Sequence, residues 1–154
     1  MADPSSPAAT SPVLDAGELE TAVGLWLRLA QQKDLREFNR RFALTAISQL
    51  QYAALLVIEA NPGCRQADLG AMLRIRQPNL VEPLESLAER RLIVRRPDPR
   101  DGRAQTLELT AAGAALLEDL RTVHEELIAA YRARLGDEDY RRLVALLRAF
   151  VGRG

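Results

Sequence analysis

The chain has very little of several things: one cysteine, one histidine and one lysine in 154 residues. Cys64 alone excludes an intrachain disulfide, and with His124 as its only histidine the chain lacks the set of ligands that a Cys/His zinc centre needs. No metal or cofactor is therefore expected. There is also no nucleophile elbow, no phosphate-binding glycine loop and no His-Glu-x-x-His. Acid–base chemistry would fall to carboxylates, and none stand in a telling constellation, so no catalytic residue is assigned and an enzyme is not expected. Long apolar runs are missing as well. The longest, "YAALLVI" (52–58), falls far short of the roughly 20 residues that cross a bilayer. The opening "MADPSSPAATSP" has neither a basic nor an apolar region of the kind that begins a signal peptide. A cytoplasmic protein with no membrane partner is expected.

Net charge is absent too: 21 basic residues balance 21 acidic ones. That balance is not uniform. The stretch "RRLIVRRPDPRDGR" (90–103) holds six arginines against two aspartates, a local surplus of four positive charges. Lys33 is the only lysine, so nearly all the positive charge is arginine, whose planar fork matches phosphate and guanine edges in a way lysine does not. A GC-rich coding sequence would give the same arginine bias overall, but it does not explain the clustering.

The apolar content of 47% and charged content of 27% are those of one ordinary folded domain. Residues 1–15, rich in Pro, Ser and Ala, read as a disordered tail. From Ala16 to Arg41, apolar residues recur at helical spacing (Leu19, Val23, Trp26, Leu27, Ala30). In "ISQLQYAALLVIEANPG", Ser48 and Gln51 form a capping box, with Ile47 and Tyr52 placed as a hydrophobic staple, and Asn61-Pro62-Gly63 ends the helix. A short helix "RQADLGAML" (65–73) and a break at 74–76 precede "QPNLVEPLESLAERR", whose Leu80, Leu84 and Leu87 share one face. Glu82, Glu85 and Glu89 stand opposite. Two short strands, "LIVRR" (92–96) and "AQTLELT" (104–110), flank the turn-rich "PDPRDGR" and predict a β-hairpin. Thr110 is placed to cap a long helix carrying Leu116, Leu117, Leu120, Val123, Leu127, Ile128 and Tyr131. Gly136-Asp137 interrupts it before a last helix with Leu143, Val144, Leu147 and Phe150.

Three consecutive helices followed by a hairpin is the order of a winged helix-turn-helix, in which the second helix of the turn enters the major groove. The helices before and after exceed what that unit needs for its own core, and a two-fold dimer is the commonest way to cover such apolar stripes. The fold class expected is mainly α with a small β-hairpin wing. The expected boundaries are helices for dimerisation at 16–43 and 111–154 and a DNA-binding region at 44–110.

At this point the chain resembles the MarR family of transcriptional regulators over about residues 17–150. The stretches that carry the likeness are "LQYAALLVIEANPG", "RQADLGAML", "IRQPNLVEPLESLAERRLIVRR" and, most diagnostic, "DPRDGRAQTLELTAAG". The resemblance implies a homodimeric repressor on a pseudo-palindromic operator in double-stranded DNA. It also implies release by a small, often aromatic, ligand in a cleft between dimer and DNA-binding regions. By the same resemblance Arg103, at the wing tip, enters the minor groove and Asp101 orients its guanidinium.

From residue chemistry, Arg95, Arg96 and Arg100 are candidates to neutralise phosphates. Side chains alternate along a strand, so Arg95 and Arg96 point to opposite faces and at most one of them faces DNA directly. Gln77 and Asn79 are candidates for base edges, with Arg74 and Arg76 flanking the helix start. Arg65 stands where Ser or Thr would cap better, which points to either a phosphate contact or an exposed surface arginine. Glu82 either accepts from cytosine N4 or repels phosphate, and Glu82, Ser86 and Arg91 depart from the family's pattern. Pro83 inside the helix would ordinarily cost about 3 kcal/mol. Cys64 reads as a small buried apolar residue and His124 as structural. Trp26 and Tyr131 are candidates to line a ligand cleft, or else core and interface aromatics. The acidic face of the recognition helix keeps a second function in play: a winged-helix protein-interaction module that does not bind DNA.

Overall fold

The computed structural model describes residues 15–99 and 101–152, and only the backbone of Gly102 and Arg103. Its elements are a 3-10 turn (Gly17–Thr21), α1 (Val23–Phe42), α2 (Gln49–Ala60), β1 (Cys64–Arg65), α3 (Gln66–Leu73), α4 (Pro78–Glu89), β2 (Ile93–Asp98), β3 (Asp101–Leu109), α5 (Ala111–Leu135) and α6 (Asp137–Phe150). This is the mainly helical architecture with a small antiparallel sheet that the sequence implies. The expected tail at 1–15 lies outside the described residues except for Asp15.

Within residues 15–34, the expected single helix from Ala16 is broken. Ala22 is extended and separates the 3-10 turn from α1. The Trp26 indole N–H donates to the Glu20 carbonyl at 2.7 Å, satisfying a group left without a helical partner near the break. Leu19, Val23, Trp26 and Leu29 are exposed.

Residues 35–152 build the core. Phe38 and Phe42, one helical turn apart, stack with ring centroids 3.8 Å apart, and Tyr52 of α2 tilts against both. The Ser48 capping box forms as its sequence predicts: Ser48 Oγ accepts from the Gln51 amide, and Gln51 Oε1 accepts from the Ser48 amide. Leu55 and Ile58 of α2, Leu69 of α3, Leu80, Leu84 and Leu87 of α4, and Leu117 and Leu120 of α5 are fully buried. Each such aliphatic side chain contributes about 1.5–3 kcal/mol of transfer free energy. An ion pair between Glu59, near the end of α2, and Arg121, within α5, which also meets Glu118, ties these helices together.

The three-stranded sheet has the order β1-β3-β2. The hairpin is longer than its turn-rich sequence suggests, running through Asp98 and resuming at Asp101. Pro97 argues against a strand because it lacks an N–H donor. Here it sits on an edge strand beside a register shift at Pro97/Asp98, where that donor is dispensable. β1, just two residues, pairs Cys64 with Leu107 and Arg65 with Thr106 and has no signal of its own.

The junction between sheet and α5 explains the Leu109, Thr110 and Gly113 that end the stretch "DPRDGRAQTLELTAAG". Thr110 Oγ1 donates to the Arg91 carbonyl at 2.6 Å and accepts from the Gly113 amide at 3.0 Å. A Cβ on Gly113 would lie 1.9 Å from the Leu92 carbonyl oxygen, so only glycine allows this approach. α6 carries no buried residue, and Leu143, Val144, Leu146, Leu147 and Phe150 stand exposed along it, with Val151 exposed just past its end. Among the described residues no helix is long and apolar enough to cross a membrane.

Candidate nucleic-acid interface

The helix-turn-helix is set by a tight turn. Arg74 caps α3 in the left-handed region at φ 54, and the Ile75 amide returns to the Gly70 carbonyl at 2.9 Å. A Cβ on Gly70 would meet Gln77 Nε2 at 2.4 Å and the Ile75 carbonyl at 3.0 Å. Gln77 Nε2 donates to the Gln66 carbonyl at 3.2 Å, binding the start of α4 to the start of α3. Its amide is thus engaged within the protein. Arg74, exposed, reaches the Val151 carbonyl at 3.1 Å. Arg76 is exposed and has no partner among the described residues.

α4 begins with Pro78 in its first turn, where a missing N–H is harmless. It runs uninterrupted through Pro83, whose carbonyl accepts from Gln51 Nε2 at 3.3 Å. Leu80, Leu84 and Leu87 anchor one face, as their spacing predicts. The outward face presents Asn79, Val81, Glu82 and Glu85, all exposed, and none of them is held by another described residue. α4 therefore offers one amide, one branched apolar side chain and carboxylates, with no cation of its own.

The wing has two unlike faces. Arg95 is the register partner of Leu107 and lies half-buried, with its Nη2 buried and lacking a hydrogen-bond partner among the described residues. Arg96 is exposed, and its Nε donates to Glu108 at 2.8 Å. The alternation of the pair holds, and Arg96 is its accessible member. Thr106 pairs in register with both Arg65 and Arg96. On this face Arg65 Nε donates to Asp98 Oδ2 at 2.6 Å. That bond and the charges of Asp98, Asp101 and Asp68 hold the Arg65 guanidinium more firmly protonated than an ordinary arginine. Asp101 is exposed at the start of β3. Arg100 and the side chain of Arg103 lie outside the described residues.

Two other arginines of the 90–103 stretch have local duties. Arg90 donates to the carbonyls of Ala46 and Thr45 at 2.7 and 3.2 Å. Arg91 takes the left-handed conformation, φ 57, that glycine would occupy more cheaply. Sequence reasoning missed Asp98 altogether. Its signal was the first aspartate of Asp-x-Arg-Asp, two residues beyond Arg96 and so on the same strand face.

Elsewhere, Cys64 is half-buried against the core, and burial, aided by the Asp68 charge, pushes its thiol pKa up, away from the reactive thiolate. His124 packs on Tyr52, ring centroids 5.1 Å apart, within the protomer. Burial also raises the Tyr52 pKa, with nearby Arg121 working against the shift. Tyr131 is half-buried against the core of α5, and Trp26 is exposed in its own segment.

The fold and this surface define a winged helix-turn-helix of the DNA-binding type. The sequence model of the MarR family matches residues 44–104. The transcriptional repressor CouR, solved bound to a 23-mer DNA duplex, is 30% identical, with 91% of this chain covering 99% of that one at a TM-score of 0.83. CouR bound to p-coumaroyl-CoA gives 29% identity, 92% and 100% coverage, and a TM-score of 0.79. The PcaV regulator of Streptomyces coelicolor, solved with its natural ligand, is 26% identical, covering 90% of this chain and 97% of that one, at a TM-score of 0.75. A transcriptional regulatory protein assigned to the hcr operon of Thauera aromatica is 29% identical over 133 residues, 86% of this chain and 80% of that protein. The chain belongs to the MarR family of transcriptional regulators.

Proposed function

We propose that the protein is a cytoplasmic homodimeric repressor that binds a pseudo-palindromic DNA operator and is released by a small aromatic ligand. The observation that carries this reading is the pairing of an arginine-bearing wing with a helix-turn-helix in a chain that matches a DNA-bound repressor over nearly its whole length. In it, residues 44–110 bind DNA, while 16–43 and 111–154 serve dimerisation. Arg103 enters the minor groove, where narrow A·T-rich segments concentrate negative potential, and Asp101 orients it. Arg96, Arg100, Arg74 and Arg76 meet phosphates, and Asn79 meets a base edge. The exposed apolar stripe of α6 supplies self-association, because an uncovered row from Leu143 to Val151 is costly in water. Trp26 and Tyr131 are the first residues to vary in a search for the ligand site. The p-coumaroyl-CoA bound by CouR makes coenzyme A thioesters of aromatic acids the first compounds to try.

The test is selection of duplexes from a random library, followed by fluorescence anisotropy across salt concentrations. Affinity that falls steeply with salt, through counterion release, supports the reading. The exposed glutamates of α4 favour one rival, a protein-interaction module, and failure to select any duplex would decide for it. Leu147→Glu with Phe150→Glu is expected to shift the dimer to monomer by size-exclusion chromatography and to lower operator affinity with it.

A further inference from the structure

The outer wing is poorly supported by its strands. β1 pairs with β3 only at Thr106 and Leu107, so beyond Thr106 the described residues of β2 and β3 pair only with each other. Two-stranded ribbons are marginal on their own and twist easily. Yet the residue at the outer end of β2, Asp98, is only 7% exposed, an unusual place for a carboxylate. Arg65, at the N-terminus of α3, reaches from β1 across the intervening β3 to meet it at 2.6 Å. Thr106, beneath this strap, is itself 6% exposed. The pair thus joins the helix-turn-helix to the last residue before the wing tip.

We propose that Arg65 and Asp98 form a clasp that fixes the angle of the wing on α3, making Arg65 a positioning residue for wing insertion and not a phosphate ligand. The role in DNA binding rests on the proposed function above; the clasp itself does not. Breaking a charge-assisted hydrogen bond to a buried carboxylate is costly, so removing either side chain loosens the hold of α3 on the end of β2.

Charge alone and the clasp predict opposite signs. Removing a negative charge from an arginine-rich DNA-facing hairpin ordinarily tightens binding. The clasp predicts that Asp98→Asn weakens it about tenfold, in the range expected for losing a charge-assisted hydrogen bond. Arg65→Gln is expected to weaken it by a similar factor, and the double variant by no more than the worse single, because the two residues act as one unit. Arg65→Lys, which keeps a charge within reach of Asp98, is expected to recover most of the loss. The probe is the fluorescein-labelled duplex selected by the wild-type chain, titrated at several salt concentrations. For Arg65→Gln the slope of log affinity against log salt is expected to match wild type. A phosphate ligand would lower it by about 0.9. A lowered slope, or tighter binding by Asp98→Asn, overturns the clasp. Hydrogen exchange of the β2 and β3 amides in the same intact variants reads the clasp without DNA. Faster exchange in both Arg65→Gln and Asp98→Asn supports it, and unchanged exchange overturns it. If the wild-type chain selects no duplex, the DNA-binding reading fails while exchange still decides the clasp.

Discussion

The wing and the recognition helix lie side by side in the sequence and are built on opposite principles. α4 is regular, deeply anchored by three leucines, and presents Glu82, Glu85 and Asn79 outward. The wing is a hairpin rich in arginine, and among its described side chains Arg65 pairs with Asp98 and Arg96 with Glu108. A helix holds its outward residues in place through its own backbone and its buried face, so its surface is free to be acidic and selective. The hairpin has its backbone ladder and no third strand beyond Thr106, and Arg65 and Arg96 are each held by a carboxylate. Affinity is therefore expected to depend on the wing, while α4 sets which sequences are refused.

That contrast can be broken in stages, beginning at the base of the wing. Gly113→Ala would force a Cβ to 1.9 Å from the Leu92 carbonyl. Because backbone must move, destabilisation of about 3 kcal/mol is expected in a denaturant titration. A loss below about 1 kcal/mol would mean that the wing's root is soft. At the tip, Arg103→Ala is expected to reduce operator affinity about 30-fold without changing the melting temperature, the scale of a lost charged contact. Equal affinity in anisotropy would remove the wing from the interface. At the junction of the two regions, Arg91→Gly relieves the left-handed strain at φ 57 and is expected to stabilise by about 1 kcal/mol in thermal melts. The smallest effect concerns α4 itself. Glu82→Gln is expected to tighten binding to unselected DNA about threefold and to broaden the set of duplexes recovered by selection, since a carboxylate accepts hydrogen bonds only and repels phosphate. An unchanged set would show that α4 refuses nothing through Glu82.

Much of the fold was legible because it rests on local rules. The Ser48–Gln51 box, the stop at Asn61-Pro62-Gly63, the Leu80/Leu84/Leu87 face and the Gly136 break each depend on residues within two helical turns of one another. Two features that were illegible depend on distant partners. β1 exists because β3 lies beside it, and Pro97 stays in a strand because β2 is an edge. The break at Ala22 depends on local backbone that apolar periodicity does not register. The candidate site was read in part. The two faces of Arg95 and Arg96 followed from alternation, but which face is open required the position of Leu107. Sequence alone leaves Arg65 a phosphate contact or a surface arginine, because its partner lies 33 residues away.

The sequence by itself determined the order of helices and hairpin, the concentration of arginine at one edge and the family likeness, since periodicity, capping and turn chemistry act over a few residues. Only the tertiary structure decided how those arginines are employed. Arg90 serves the loop before α2, Arg91 the end of α4, Arg95 turns inward and Arg96 outward toward Glu108. Identical side chains a few residues apart differ in this way because a guanidinium's role is set by the carbonyl or carboxylate that the folded chain brings to it.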